Sequence, residues 1–193
     1  MKNTDLIKRN ISDSIATKEN LLQDNLIIDT IVEISNLIIK AFKNGNKLLF
    51  CGNGGSAADA QHLAAEFSGR YYLNRPPLHA EALHTDTSFM TAVANDFSFD
   101  EVYARLIEGI GKKGDVLIGM STSGNSKNIV RALEQAKKQN ITTIGFTGAK
   151  GGEINSYCDL MIHIPSNDTP RIQESHLMLG HAICELVEKE LFS

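Results

Sequence analysis

Apolar positions in the first 44 residues recur at spacings of three and four, the repeat of an amphipathic helix. Thr4–Gln23 and Asn25–Asn44 therefore read as two helices, the second closed by Gly45-Asn46, a helix stop. In that second helix Ile27, Ile31, Ile34, Ile38 and Phe42 form one stripe, and Ile28, Val32 and Ile39 form another. A helix apolar on two faces must bury both, whereas the edge of a domain offers one inner surface. The pattern favours a subunit interface over a helix wrapped wholly within its own domain.

Beyond Lys47 the pattern changes to short strand-like runs alternating with helical stretches. The strands are expected at Lys47–Cys51, Ala80–His84, Val116–Met120, Thr142–Thr147 and Leu160–Ile164. Helices are expected at Ala57–Gly69, Ser88–Asn95, Asp100–Gly109 and Ser126–Gln139. A closing helix opens at Thr169-Pro170, with proline suited to its first turn, and runs to Leu191. Such alternation specifies an α/β fold, a doubly wound parallel sheet covered on both faces. At 193 residues, with no repeat, linker or low-complexity tract, the chain reads as one domain over 1–193, residues 1–44 being a helical segment packed on it.

Composition narrows the class. Apolar residues at 42% and charged residues at 22% are those of a soluble globular protein. The net charge of −4 argues against broad binding of nucleic acid or of an anionic membrane. Three cysteines, Cys51, Cys158 and Cys184, with no C-x-x-C spacing, suit a reducing cytoplasm. The stretch Met1–Arg9 lacks the apolar core of a signal peptide. Leu26–Phe42 is interrupted by Asp29, Glu33 and Lys40 and is no membrane span. A cytoplasmic protein is expected.

The chemistry concentrates in two glycine- and hydroxyl-rich loops that each join a strand to a helix. The first is Cys51-Gly-Asn-Gly-Gly-Ser56; the second is Ser121-Thr-Ser-Gly-Asn-Ser126. A strand, a tight turn and a helix N-terminus make an anion site, because the first amides of the helix lack partners within it. The hydroxyls of Ser121, Thr122, Ser123 and Ser126 read as a phosphate cradle. Gly52-Asn-Gly-Gly-Ser-Ala57 also fits a loose dinucleotide fingerprint, but a ribose-binding acid would fall awkwardly at Glu81 or Asp86. The Gly-Lys-Ser/Thr of a nucleoside-triphosphate loop is missing. The loops therefore point to a small phosphorylated molecule beyond the carboxyl ends of the strands.

Two further clusters carry titratable groups. His62 and Glu66, four residues apart, share one helix face, where they could hold a divalent metal, act as an acid–base pair, or be an ordinary surface pair. The last helix offers Arg171-Ile-Gln-Glu-Ser-His176 and then His181, whose neighbours Gly180, Ala182 and Ile183 imply burial.

Together, Cys51-Gly-Asn-Gly-Gly-Ser-Ala-Ala-Asp-Ala-Gln-His62, Ala65-Glu66, Asn95-Asp96, Ser121-Thr-Ser-Gly-Asn-Ser126, Arg171-Ile-Gln-Glu174 and His181 resemble the phosphoheptose isomerases, enzymes of the sugar-isomerase (SIS) domain. The resemblance covers nearly the whole chain, the two N-terminal helices included. It implies conversion of sedoheptulose 7-phosphate to D-glycero-D-manno-heptose 7-phosphate, the entry to bacterial heptose for lipopolysaccharide or related surface glycans. It also implies a homotetramer, with the N-terminal helices used in assembly and active sites at subunit boundaries.

Carried over residue by residue, the resemblance implies substrate contacts at Asn53, Gly54, Gly55, Ser56, Glu66, Asn95, Asp96 and Gln173. It implies phosphate contacts at Ser121, Thr122, Ser123 and Ser126. Glu66 and His181 match the acid–base pair; His62, Glu66, Gln173 and His181 match the ligands of one zinc ion per subunit. Some members carry Asp where this chain has Pro170. Gln173 and His181 are eight residues apart, about 12 Å along a regular helix and roughly 80° around it. Both reach one ion only if Gln173 lies in an irregular turn, or if the two approach from different directions or chains. Zinc ligation by Glu66 also competes with its use as a base. A close SIS relative that binds the bacterial replication initiator offers a non-catalytic alternative, but it has a polar residue in place of His181. A nicotinamide enzyme rests on the loose fingerprint alone.

Overall fold

The computed structural model describes residues 3–193, so the first two residues of the N-terminal stretch read for a leader lie outside the described residues. Among the described residues seven helices and five strands follow one another as the sequence pattern requires. The helices are α1 (Asn3–Gln23), α2 (Asn25–Lys43), α3 (Gly55–Ser68), α4 (Thr87–Asp96), α5 (Val102–Ile110), α6 (Lys127–Lys138) and α7 (Thr169–Phe192). The strands are β1 (Leu48–Gly52), β2 (Ala80–Ala82), β3 (Val116–Met120), β4 (Thr142–Gly148) and β5 (Leu160–Ile164). Short 3₁₀ turns cover Phe99–Glu101 and Glu153–Tyr157.

The strands form one all-parallel sheet in the order β2-β1-β3-β4-β5. Because side chains alternate along a strand, each strand feeds both faces. Leu48 and Phe50 of β1 join Val116, Ile118 and Met120 of β3 beneath α2, α3 and α7. Leu49, Cys51 and Leu117 face the opposite core with Tyr103, Ile107, Ile129 and Leu133 of α5 and α6. β1 and β3 are therefore apolar throughout, as expected of buried parallel strands.

The sheet order places β1 and β3 side by side, with Gly52 opposite Met120 at their carboxyl ends. The two glycine loops consequently leave the sheet as neighbours, at the point where the strand order reverses direction. On α2, Ile27, Ile31, Ile34, Ile38 and Ile39 are buried, whereas Ile28 and Val32 of the second stripe remain exposed. No helix among the described residues is long and apolar enough to cross a membrane.

Candidate active site

The loop after β1 turns through Gly54 and starts α3 at Gly55, two residues earlier than the expected Ala57. The loop after β3 runs from Ser121 to Ser126, the residue before α6. Asn53 and Asn128 exchange two amide hydrogen bonds of 2.8 Å, tying the first loop to the first turn of α6. Ser121 is buried and its Oγ donates to Ser126 Oγ at 3.1 Å. Gly124 adopts φ +68°, and a Cβ there would stand 1.7 Å from the Gly151 carbonyl oxygen. Only glycine lets the serine loop lie against the segment after β4.

Asp24 caps α2 and Asp86 caps α4 through side-chain bonds to backbone amides, but neither α3 nor α6 has such a cap. Their N-termini keep donors and a partial positive charge for an anion. Thr122 and Ser123 line a cavity of about 310 Å³ together with Asn125, Lys150, Ser166 and Asn167. Lys150 is the one cation on that lining.

Farther along α3, about 10 to 16 Å beyond its first residue, α3 and α7 bring three donors together. His62 Nε2 lies 2.9 Å from His181 Nε2 and 3.3 Å from Glu66 Oε1. The helix spacing explains the His62–Glu66 pair, and a glycine explains the third member. A Cβ on Gly180 would stand 2.5 Å from Leu63 Cδ1, so its absence lets α7 close onto α3 and delivers His181 to His62. Burial first, and the neighbouring His62 second, lower the pKa of His181 against the opposing pull of Glu66. His181 is therefore neutral at neutral pH, able to donate from one nitrogen and accept at the other.

Ligand atoms of His62, Glu66 and His181 all lie within 4.8 Å of one another, so this group could hold a metal ion. Two imidazole nitrogens on one tetrahedral zinc stand about 3.4 Å apart. The 2.9 Å separation is close to that value and needs only a small opening. Two nitrogens and a carboxylate also form the three-ligand set of a zinc site with an open position.

Other expected site residues fall as follows. Gln173 sits in the regular helix α7, not in an irregular turn. Its amide occupies the space a Gly55 Cβ would take, 2.4 Å from Nε2, so Gly55 is small to admit Gln173. Gln173 thus joins the first glycine loop to α7. Ser56 is buried. Asn95 and Asp96 are exposed at the end of α4, where Asn95 donates to Asp96 at 2.9 Å; among the described residues neither bonds to either glycine loop. The burial expected of His181 needs correction. It is half-exposed against His62 of α3, and His176, packed on Phe146 of the sheet, is the buried histidine.

Asn128 and Tyr71 also adjoin these groups, although the sequence pattern does not single them out. The Tyr71 ring stacks on His181 with centroids 5.6 Å apart. Tyr71 lies in an irregular segment with no periodicity to mark it. Asn128 was discoverable as the polar residue opening α6 directly behind the serine loop.

A five-stranded parallel sheet with two glycine loops at its reversal point defines the chain as a doubly wound α/β domain, and the SIS domain family matches residues 14–148. The chain is 54% identical over 186 residues to phosphoheptose isomerase 2 of Campylobacter jejuni, covering 96% of this chain and 92% of that protein. It is 52% identical over 192 residues to the phosphoheptose isomerase of Clostridium acetobutylicum, covering 100% and 97%. The structure of the phosphoheptose isomerase GmhA from Neisseria gonorrhoeae is similar with a TM-score of 0.91 and 38% identity, over 97% of this chain and all of that one. The chain belongs to the phosphoheptose isomerase family.

Proposed function

We infer that the protein is an aldose–ketose isomerase interconverting sedoheptulose 7-phosphate and D-glycero-D-manno-heptose 7-phosphate. The observation that carries this reading is the meeting of His62, Glu66 and His181 between α7 and α3, the helix that the first glycine loop opens. The reaction shifts a proton from C1 to C2 through a cis-enediol, which needs a base at carbon and an acid at oxygen. Glu66 takes the proton from C1 and returns it to C2. His181, neutral and in contact with His62, moves protons at the carbonyl and hydroxyl oxygens.

Ser121, Thr122, Ser123 and Ser126 hold the phosphate with the first amides of α6, and Lys150 adds charge. Fixing the distant phosphate turns binding energy into orientation at C1 and C2. Asn53, Gly54, Gly55, Ser56 and Gln173 line the sugar, with Asn95 and Asp96 contributing from α4. His62, Glu66 and His181 would hold a zinc ion, in competition with the use of Glu66 as base, and Gln173 of the regular helix α7 would join them only from a different direction or chain. When bound, zinc polarises the carbonyl and stabilises negative charge on its oxygen. The product would enter bacterial surface glycans, from a cytoplasmic enzyme that works as a homotetramer.

The decisive experiment is turnover of sedoheptulose 7-phosphate by purified protein, before chelation, after it, and after zinc is restored. Turnover should fall on chelation and return with zinc. A folded protein without turnover in any state overturns the isomerase; turnover indifferent to chelation leaves Glu66 and His181 as a metal-free pair.

A further inference from the structure

One buried ion pair touches both helices of the site without belonging to it. Glu188 on α7 and Arg75 in the segment after α3 meet at 2.9 Å, each with a side chain only 2% exposed. Glu188 lies seven residues beyond His181, two turns along the same face and about 10 Å away. Its carboxylate accepts from the backbone amides of Tyr71, Tyr72 and Leu73 at 3.1, 2.7 and 2.8 Å. Burial alone would raise the Glu188 pKa, but these amides and Arg75 outweigh it and hold the carboxyl below its usual range.

Arg75 makes the complementary connection. Its guanidinium donates to the carbonyls of Glu66 and Phe67, both at 2.8 Å, where α3 runs out of internal partners. It also stacks over the Phe192 ring near the end of α7, 5.5 Å from the centroid. The bonds of the pair therefore reach the backbone of Glu66 itself and of Tyr71 itself. Tyr71 carries the ring that stacks on His181 at 5.6 Å, with the planes 21° apart.

We propose that Glu188, Arg75 and Tyr71 form a positioning clasp for the isomerase site, setting the end of α3 that bears Glu66 and the ring of His181 relative to each other. None of the three touches the reacting atoms in this assignment; Tyr71 acts through His181, and Arg75 through the backbone of Glu66. The α3 and α7 helices already pack through Leu63 and Gly180, so the core needs no buried charge to join them. A charged pair bonded to several backbone groups fixes a register that apolar contact leaves free to slide. Groups that orient metal ligands and acid–base residues from behind carry about 10- to 100-fold in affinity or rate.

The proposal rests on reading His62, Glu66 and His181 as the reactive group, so its test keeps the two apart. Tyr71→Ala, Tyr71→Phe and Glu188→Gln are compared with wild type for kcat, KM, thermal midpoint and zinc affinity of the metal-stripped protein by chelator competition. Tyr71→Ala should lose about 10- to 100-fold in kcat and in zinc affinity, with KM and thermal midpoint little changed. Tyr71→Phe, which keeps the stacked ring, should recover most of both. Glu188→Gln should match Tyr71→Ala in kcat and zinc affinity but lower the thermal midpoint, because Arg75 is left buried without its partner, and the double variant should be no worse in kcat than the poorer single one.

Wild-type kcat and zinc affinity in Tyr71→Ala would overturn the clasp, and this holds even if Glu188→Gln fails to fold. A wild-type protein that binds zinc but does not turn over the sugar removes the functional reading, and the affinities then decide the clasp. If it turns over without binding zinc, kcat decides. A wild-type protein that does neither overturns both.

Discussion

The last helix carries two histidines five residues apart that the fold treats in opposite ways. His181 meets His62 at a half-open surface, while His176 is fully buried, its ring against Phe146 and its Nε2–H donating to the Thr147 carbonyl at 3.2 Å. Burial lowers the His176 pKa to about 4, against a smaller opposing effect of that hydrogen bond. The sign follows directly. Above pH about 6.5 neither the folded nor the unfolded chain protonates this ring. Between about 6.5 and 4 the unfolded chain takes a proton that the folded one refuses, so stability falls as pH falls, then levels off. The shift corresponds to about 3 kcal/mol. Urea unfolding of His176→Leu should start from a lower stability at pH 7, because Thr147 loses its donor, and show a visibly flatter decline to pH 4.5. An unchanged slope would mean other groups dominate the acid limb.

At the level of elements, two glycines tie α7 to the rest of the site by different means. Gly180 faces Leu63 inside the α3–α7 contact, and its missing Cβ leaves room that an alanine would fill at 2.5 Å. Gly55 faces the far end of the flexible Gln173 side chain. Gly180→Ala should force the helices apart, cost about 1–3 kcal/mol and lower kcat sharply as His181 leaves His62. Gly55→Ala should leave stability nearly unchanged while displacing the Gln173 amide, and so weaken substrate or zinc binding. Thermal unfolding read beside KM separates the two outcomes; equal stability losses would refute the distinction. The elements themselves were legible because each strand run is bounded by turn residues. Their ends were less so, since α3 starts at Gly55 through backbone geometry that a glycine pair does not advertise.

For the whole molecule, the open question is what covers its apolar helical face. Ile7, Ile11 and Ile15 repeat every four residues along α1 and are 58%, 56% and 52% exposed. Leu22 and Leu26 extend that exposed apolar surface, and Ile28 and Val32 line a cavity of about 450 Å³ shared with Leu179 and Leu186 of α7. A helix stripe left in water at this density is a surface for association, and the proposed homotetramer would cover it. Light scattering should give a species four times the mass of the 193-residue chain. Replacing Ile11 and Ile15 with Glu should reduce that mass and, if the proposed tetramer shares its active sites across subunits, the turnover. A monomeric wild type would remove the tetramer.

The sequence by itself determined the parallel α/β architecture, the two glycine loops and the His62–Glu66 pair. Each is local: a period of apolar positions, a strand–glycine–helix junction, or two residues a helical turn apart. It also supplied the family resemblance, whose motifs are contiguous. Tertiary structure alone decided which histidine of α7 reaches the site and which is buried, because that depends on how the helix is rotated against the sheet. Only the fold paired Asn53 with Asn128, set Gln173 against Gly55, and bonded Glu188 to Arg75 across 113 residues of sequence. Near the chain's end Glu188 looks like any charge on a solvated helix, since burial belongs to three-dimensional packing and leaves no mark in a linear pattern.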